Sequence, residues 1–266
     1  MPDQSHFLAT TEWLSENLAS PDLCVLECTV FLRPREDGRP GFLVVPGQDE
    51  WAAGHIPGAV FADLHHDLSD TSRVVLYDRA GNMWAARIWW MLRAFGFDNA
   101  RVLDGGWTKW TSEGRPISSE APAPAPAKFT TSPRPGLIAT KEDVFEAMAS
   151  GQACIVNALN AAQHRGEVAP YGRPGRIARS VNVPAMGSAG IVDPQTQLYH
   201  PLEEIRRRFD AAGARPGERL ITYCGGGIAA SSAAFAAVMA GYTDVAVYDA
   251  SLSEWAADPS LPMETG

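Results

Sequence analysis

Short apolar runs recur along the chain: CVLEC (24–28), VVLYD (74–78) and ARVLD (100–104) in the first half, ACIVNA (153–158), LITYC (220–224) and VAVYD (245–249) in the second. Runs of this length, bounded by glycine and polar residues, predict buried strands. Between them lie stretches with helical character, such as PLEEIRRRFDAAG (201–213), in which Leu202, Ile205 and Phe209 sit at helical spacing. Strands and helices in alternation predict an α/β fold around mostly parallel sheets with helices on their faces.

The pattern repeats. Residues 73–110 and 219–255 each read as an apolar strand, a glycine-containing turn, a helix of small and apolar residues, a glycine with an aromatic, a second strand ending in Asp, and a Trp. Tyr77 and Asp78 pair with Tyr223 and Cys224 at an offset of 146, whereas Asp104 pairs with Asp249 and Trp110 with Trp255 at 145, so one residue has been gained or lost between these landmarks. GHIPGAV (54–60) pairs with GRIARSV (175–181) at an offset of only 121. The first copy is therefore shorter here by about 25 residues, and Asp70-Thr71-Ser72 is expected to run almost directly into its strand. An alternating Ala/Pro stretch within 120–136 predicts a stiff, extended connector between the copies. The expected organisation is a shortened first domain (1–119), a linker (120–136) and a second domain (137–266).

A length of 266 residues agrees with two domains, and 45% hydrophobic residues with a folded chain. A net charge of −9 argues against a nucleic-acid partner, and no apolar run approaches the roughly 18 residues that span a bilayer. The first residues, MPDQSHFLATTEWLSENL, lack the charged and apolar regions of a secretory signal, so a cytoplasmic location is expected. Cys24, Cys28, Cys154 and Cys224 have neither zinc-site spacing nor the density of a disulfide framework, and no metal is expected.

Cys224 stands apart. It ends an apolar strand and is followed by Gly225, Gly226, Gly227, Ile228 and Ala229, then by a helix. Successive glycines let several amides turn inward around the sulfur, and the helix adds its positive end; both favour the reactive thiolate. The alternative from the residues alone is a buried strand-end cysteine beside a tight turn. Cys24, Cys28 and Cys154 have no glycines beside them and fit that inert description. The glycines lack both the dinucleotide spacing and a Gly-Lys-Ser/Thr ending.

YCGGGIAA with its helix, VAVYDASLSEWAADPSLP, and the GHIPGAV and VLDGGWTKW segments resemble the tandem-domain rhodanese family of sulfurtransferases over nearly the whole chain. The resemblance implies two rhodanese-like domains of which the second is catalytic. Its loop cysteine, here Cys224, takes sulfane sulfur from a small anionic donor, thiosulfate or 3-mercaptopyruvate. It passes that sulfur as a persulfide to cyanide, a thiol or a thioredoxin-like acceptor, with residues 225–229 as the loop and no cofactor. Asp78, at the matching place in the first copy, forms no persulfide. A phosphatase branch of the fold needs an arginine six positions after the cysteine, and Ala230 stands there.

Donor choice stays open, because CGGGIA is small and neutral like mercaptopyruvate-type loops but lacks their hydroxyl residues. For the donor's charge the candidate cations are Arg176 and Arg179, with Arg173 behind them, in a stretch that departs from the family's Gly-His-Ile-Pro-Gly-Ala segment. His55, in the intact first-copy motif, is a candidate proton relay, against the alternative of a hydrogen-bonded turn histidine. Asn157 and Leu159 replace an Asp and Arg, so a buried ion pair is expected to be missing. These departures favour as rival a non-catalytic sulfur carrier or interaction protein. Apolar surface left on the shortened first domain would favour a homo-oligomeric contact.

Overall fold

The computed structural model describes residues 4–35, 42–62, 73–122 and 130–266. The 70–72 stretch falls outside them, as does most of the Ala/Pro alternation of 121–127, of which only Ala121 and Pro122 are described. The first half contains β1 (Leu8–Ala9), α1 (Thr11–Asn17), β2 (Leu23–Glu27), a hairpin of β3 (Val30–Pro34) and β4 (Phe42–Pro46), and α2 (Gln48–Ala53). After these come β5 (Val60–Phe61), β6 (Arg73–Tyr77), α3 (Met83–Ala94), β7 (Ala100–Leu103) and α4 (Gly106–Ser112). The second half runs β8 (Ile138–Ala139), α5 (Lys141–Ser150), β9 (Ala153–Asn157), α6 (Ala161–Arg165), β10 (Arg176–Ile177) and β11 (Val181–Asn182). It ends with α7 (Leu202–Ala212), β12 (Arg219–Tyr223), α8 (Ile228–Met239), β13 (Val245–Tyr248), α9 (Ser251–Trp255) and β14 (Met263–Glu264).

Two five-stranded sheets result, with orders β1-β7-β6-β2-β5 and β11-β9-β12-β13-β8, and every pairing within them is parallel. Read from opposite edges the two orders are the same, so the sequence repeat is a repeat of topology. All six apolar runs are strands of these sheets. Side-chain bonds repeat as well: the Tyr77 hydroxyl accepts from the Ile56 N–H (3.2 Å) as the Tyr223 hydroxyl accepts from Ile177 (3.0 Å). Trp110 and Trp255, both fully buried, donate to the Pro116 and Pro262 carbonyls. Eleven residues, 62–72, join β5 to β6, whereas residues 183–218 join β11 to β12 and include α7. The excess of the second join matches the 25-residue difference between the repeat offsets.

α8 reads IAASSAAFAAVM and is buried along most of its length. Its small side chains let α3 approach closely, and Trp89 of α3 meets Phe235 of α8 edge-on, ring centres 4.7 Å apart. One apolar core therefore runs through both halves, while Leu14, Ile56, Tyr77, Leu103 and Trp110 belong to a separate cluster in the first half.

Polar contacts close the same interface. The 193–199 turn of the second half docks on the first, where Asn82 donates to the Gln197 carbonyl (2.8 Å), Thr108 to the Gln197 side chain (3.0 Å), and the Tyr199 N–H to Asp104 (2.9 Å). Burial pushes the Asp104 carboxyl up from 3.8 to about 6. The folded protein thus holds this proton more tightly than the unfolded chain. Asp104's contribution is full below pH 3.8 and is lost as pH rises through 6, amounting to about 2–3 kcal/mol. Asp104→Asn keeps an acceptor for Tyr199 and is expected to remove that slope. Urea unfolding from pH 4 to 7 checks it, and an unchanged slope contradicts the assignment.

Candidate active site

Cys224 follows the end of β12, is 3% exposed, and forms part of a cavity of about 430 Å³. Segments on either side hold its backbone. The Cys224 N–H donates to the Ser251 hydroxyl (3.0 Å) and its carbonyl accepts from Leu252 (3.1 Å). The next carbonyl, of Gly225, accepts from both the N–H (2.9 Å) and hydroxyl (2.6 Å) of Ser253. On the far side Gly227 caps α8 with φ of +83°, and its carbonyl accepts from Ser231. Beneath this turn Arg87 of α3 forms an ion pair with Asp249, tying the loop to the first half.

The three glycines serve different ends. Gly227 alone has a positive φ, and a Cβ there would also lie 2.2 Å from Asp249. At Gly225 a Cβ would stand 1.9 Å from the Tyr171 ring, so glycine is required by close approach. Gly226 has neither constraint, its nearest neighbour being the Ser253 hydroxyl at 3.8 Å. Gly225→Ala is accordingly expected to cost about 2–3 kcal/mol and Gly226→Ala less than about 0.5 kcal/mol in urea unfolding. Equal losses would contradict this division.

What the loop does is clearest from its counterpart. Asp78 occupies the place of Cys224, and its carboxylate accepts four backbone N–H bonds: one oxygen from Ala80 (2.7 Å) and Asn82 (3.0 Å), the other from Trp84 (2.8 Å) and Ala85 (2.9 Å). Burial pushes the Asp78 pKa up while these four donors oppose the shift. The α3 cap, Asn82, stands four positions after Asp78, but the α8 cap, Gly227, stands three after Cys224. The residue gained between the repeats thus lies in this loop. Around Cys224 the corresponding amides have no such acceptor: among the described residues, the N–H groups of 225–230 donate to no protein oxygen. In the first copy the loop amides are taken up by the side chain at the loop's own foot, and in the second the shorter cysteine side chain leaves them without a protein acceptor among the described residues.

The walls of the cavity come from both halves. The hairpin supplies Leu32, Phe42 and Val44, and the start of α3 supplies Met83 and Trp84. From the second half come Leu159, Tyr171 and Met186, with Gly226, Ile228 and Ala229 beside the cysteine. Phe42 and Tyr171 meet edge to face at 5.9 Å, joining hairpin to loop. Burial and the neighbouring Cys224 push the Tyr171 hydroxyl up to about 12. Sequence reading missed the hairpin, Trp84 and Tyr171. VFLRP and FLVVP flanking REDGRPG were a hairpin signal, but which cavity a hairpin covers is set by the packing of the two halves.

The expected cations are elsewhere. Arg173 donates to the carbonyls of Ala256 (3.1 Å), Asp258 (2.7 Å) and Leu261 (3.0 Å). Arg176 holds the Gly266 carbonyl (2.6 Å), and Arg179 the Met148 carbonyl (2.9 Å). His55 is fully buried, stacked on Trp51 at 4.6 Å, with its ring nitrogens against the carbonyls of Trp51 (2.7 Å) and Glu120 (3.2 Å). None of the four is part of the cavity wall. Backbone carbonyls have claimed these side chains. Asn157 is buried, its oxygen accepting from the Leu159 N–H (2.9 Å). Of the other cysteines, burial pushes Cys28 well above its ordinary range and Cys154 up to about 11. Both therefore stay thiols at neutral pH.

Among the described residues no helix is long and apolar enough to cross a membrane. A family model for the rhodanese-like domain matches residues 27–113 and again 143–258. The chain is 30% identical to thiosulfate/3-mercaptopyruvate sulfurtransferase 1 of Arabidopsis thaliana, the match covering 97% of this chain and 78% of the relative. It is 31% identical to 3-mercaptopyruvate sulfurtransferase of Homo sapiens, over 96% and 93%. Two solved structures at 24% identity share the fold. The 3-mercaptopyruvate sulfotransferase SseA from Escherichia coli has a TM-score of 0.79, covering 92% of this chain and 98% of that one. An anaerobic ergothioneine biosynthesis enzyme from Chlorobium limicola has a TM-score of 0.82, covering 99% and 71%. The repeated parallel sheets and both matched segments place the chain in the rhodanese-like family, as a tandem of two such domains.

Proposed function

We propose that this protein is a sulfurtransferase that carries sulfane sulfur as a persulfide on Cys224. The observation behind the proposal is the pair of loops: four amides grip Asp78 in one, and the corresponding amides lack a protein acceptor among the described residues in the other. In a carboxylate the oxygens stand two bonds from Cβ, and in a cysteine persulfide the outer sulfur does too. A cradle that holds Asp78 has the reach to hold that sulfur.

The Cys224 thiolate attacks the donor's transferable sulfur, the outer sulfur of thiosulfate or the thiol sulfur of 3-mercaptopyruvate, the compounds in the relatives' names. With thiosulfate the sulfur–sulfur bond breaks and sulfite leaves with the electron pair. With 3-mercaptopyruvate the carbon–sulfur bond breaks and the enolate of pyruvate takes up a proton. Either way negative charge collects on the outer sulfur, where the amides of 225–230 and the N-terminus of α8 stabilise it. An acceptor, cyanide or a thiol, then removes that sulfur and restores the thiolate. In this reading residues 1–119 form a non-catalytic domain, 120–136 a connector and 137–266 the catalytic domain.

The rival, a sulfur carrier without turnover, gains support from Arg176 and Arg179 being committed to carbonyls instead of a donor's charge. Incubation with each donor and cyanide separates the two. The expected result is steady thiocyanate release with one added sulfur on Cys224 by mass spectrometry. A persulfide without turnover supports the carrier, and no added sulfur from any donor overturns both.

A further inference from the structure

We infer that the sulfur acceptor is a thiol with an apolar body of aromatic size. This rests on the persulfide reading above and adds the acceptor's chemical class to it. The amide cradle serves one atom, the transferred sulfur. The rest of the cavity, about 430 Å³, lies within the range that holds a whole organic ligand. Leu32, Phe42, Val44, Trp84, Tyr171 and Met186 wall it. Among the described residues Asn160, Gln163, Ser253 and the hydroxyl of Tyr171 are the polar side-chain groups beside the cysteine, and no charged side chain lines the cavity. Apolar walls with few polar groups suit a largely uncharged body. A small anion such as cyanide leaves most of this surface in contact with water, and a second charge on a larger acceptor would be desolvated here without a partner.

An apolar thiol fills the space with its thiolate toward the cysteine. Its sulfur attacks the outer sulfur of the persulfide, a new sulfur–sulfur bond forms, and the bond to Cys224 breaks with its electron pair returning to the Cys224 sulfur. The acceptor leaves as a hydropersulfide, and no net oxidation or reduction takes place. Side chains from the non-catalytic half, Leu32, Phe42, Val44 and Trp84, thereby select the acceptor.

Benzyl mercaptan and 2-mercaptoethanol have similar acidity, so their intrinsic nucleophilicities are close. Each methylene of apolar bulk buried is worth roughly a factor of four. The protein is first loaded with thiosulfate and the persulfide confirmed by mass. Its discharge by each thiol is then timed in single turnover. Benzyl mercaptan is expected to discharge it at least about tenfold faster. Val44→Lys, at a position 58% exposed on the hairpin, places a charge on the wall and is expected to bring that ratio towards one. Equal rates in the wild type overturn the acceptor class while leaving the persulfide reading standing, and so does faster discharge by a thioredoxin-like dithiol protein. Failure to form the persulfide with any donor overturns the reading beneath it.

Discussion

Cys224→Ser is expected to bring thiocyanate release down by at least about a thousandfold, to background, while the protein unfolds within about 1 kcal/mol of wild type. Serine preserves the shape of the side chain, and the Cys224 sulfur has no hydrogen-bond partner among the described residues to lose. A hydroxyl is far harder to deprotonate than a thiol and holds no sulfane sulfur, so only the chemistry is removed. Cys224→Asp goes further, because it gives the second loop the side chain that fills the first. Its carboxylate is expected to reach the amides of 225–230, which have no protein acceptor among the described residues, as Asp78 reaches those of Ala80, Asn82, Trp84 and Ala85. The expected result is an inactive protein with a urea midpoint at or above that of wild type. Turnover surviving in the serine variant would remove Cys224 from the chemistry. A marked drop in midpoint for the aspartate variant would mean that the amides do not converge on an anion.

The loop was legible because a strand ending in cysteine and followed by glycines leaves few local alternatives. Even so, its glycines divide their work differently from the sequence expectation. Only Gly227 needs a positive φ; Gly225 is imposed by Tyr171, some fifty residues away in the chain. The offset change from 146 to 145 was visible as arithmetic, and helix capping places it within the loop. The arginines lie away from the cavity wall for a physical reason. Charge beside a family motif suggests a ligand, but the C-terminal segment brings carbonyls within reach of Arg173 and Arg176, which donate to them there. Local pattern reports which groups want partners, and tertiary packing decides who provides them. The hairpin wall depends on how the two halves meet, which no local signal encodes.

Arg79→Met is expected to destabilise the protein by about 3–5 kcal/mol. Glu27 is fully buried, and Arg79 donates to both of its oxygens, at 2.6 and 3.2 Å. The same guanidinium reaches the carbonyls of Glu50 and Gly54 and lies 4.0 Å from the Trp107 ring centre. Methionine replaces the bulk but leaves the Glu27 carboxylate to Tyr77 (2.6 Å) and Thr29 (2.9 Å) alone. An unpaired buried charge costs more than the pair contributed. Adding Glu27→Gln removes that charge, so the double variant is expected to be more stable than Arg79→Met alone, a coupling that urea unfolding of the single and double variants measures. Strict additivity would show that the pair is not coupled. The second half has Asn157 where Glu27 stands and Gly225 where Arg79 stands. Tyr171 packs so closely over Gly225 that no arginine fits there. The copy with Cys224 in the loop gives up the ion pair at the position where Tyr171 walls the cavity, and the copy with Asp78 in the loop keeps it.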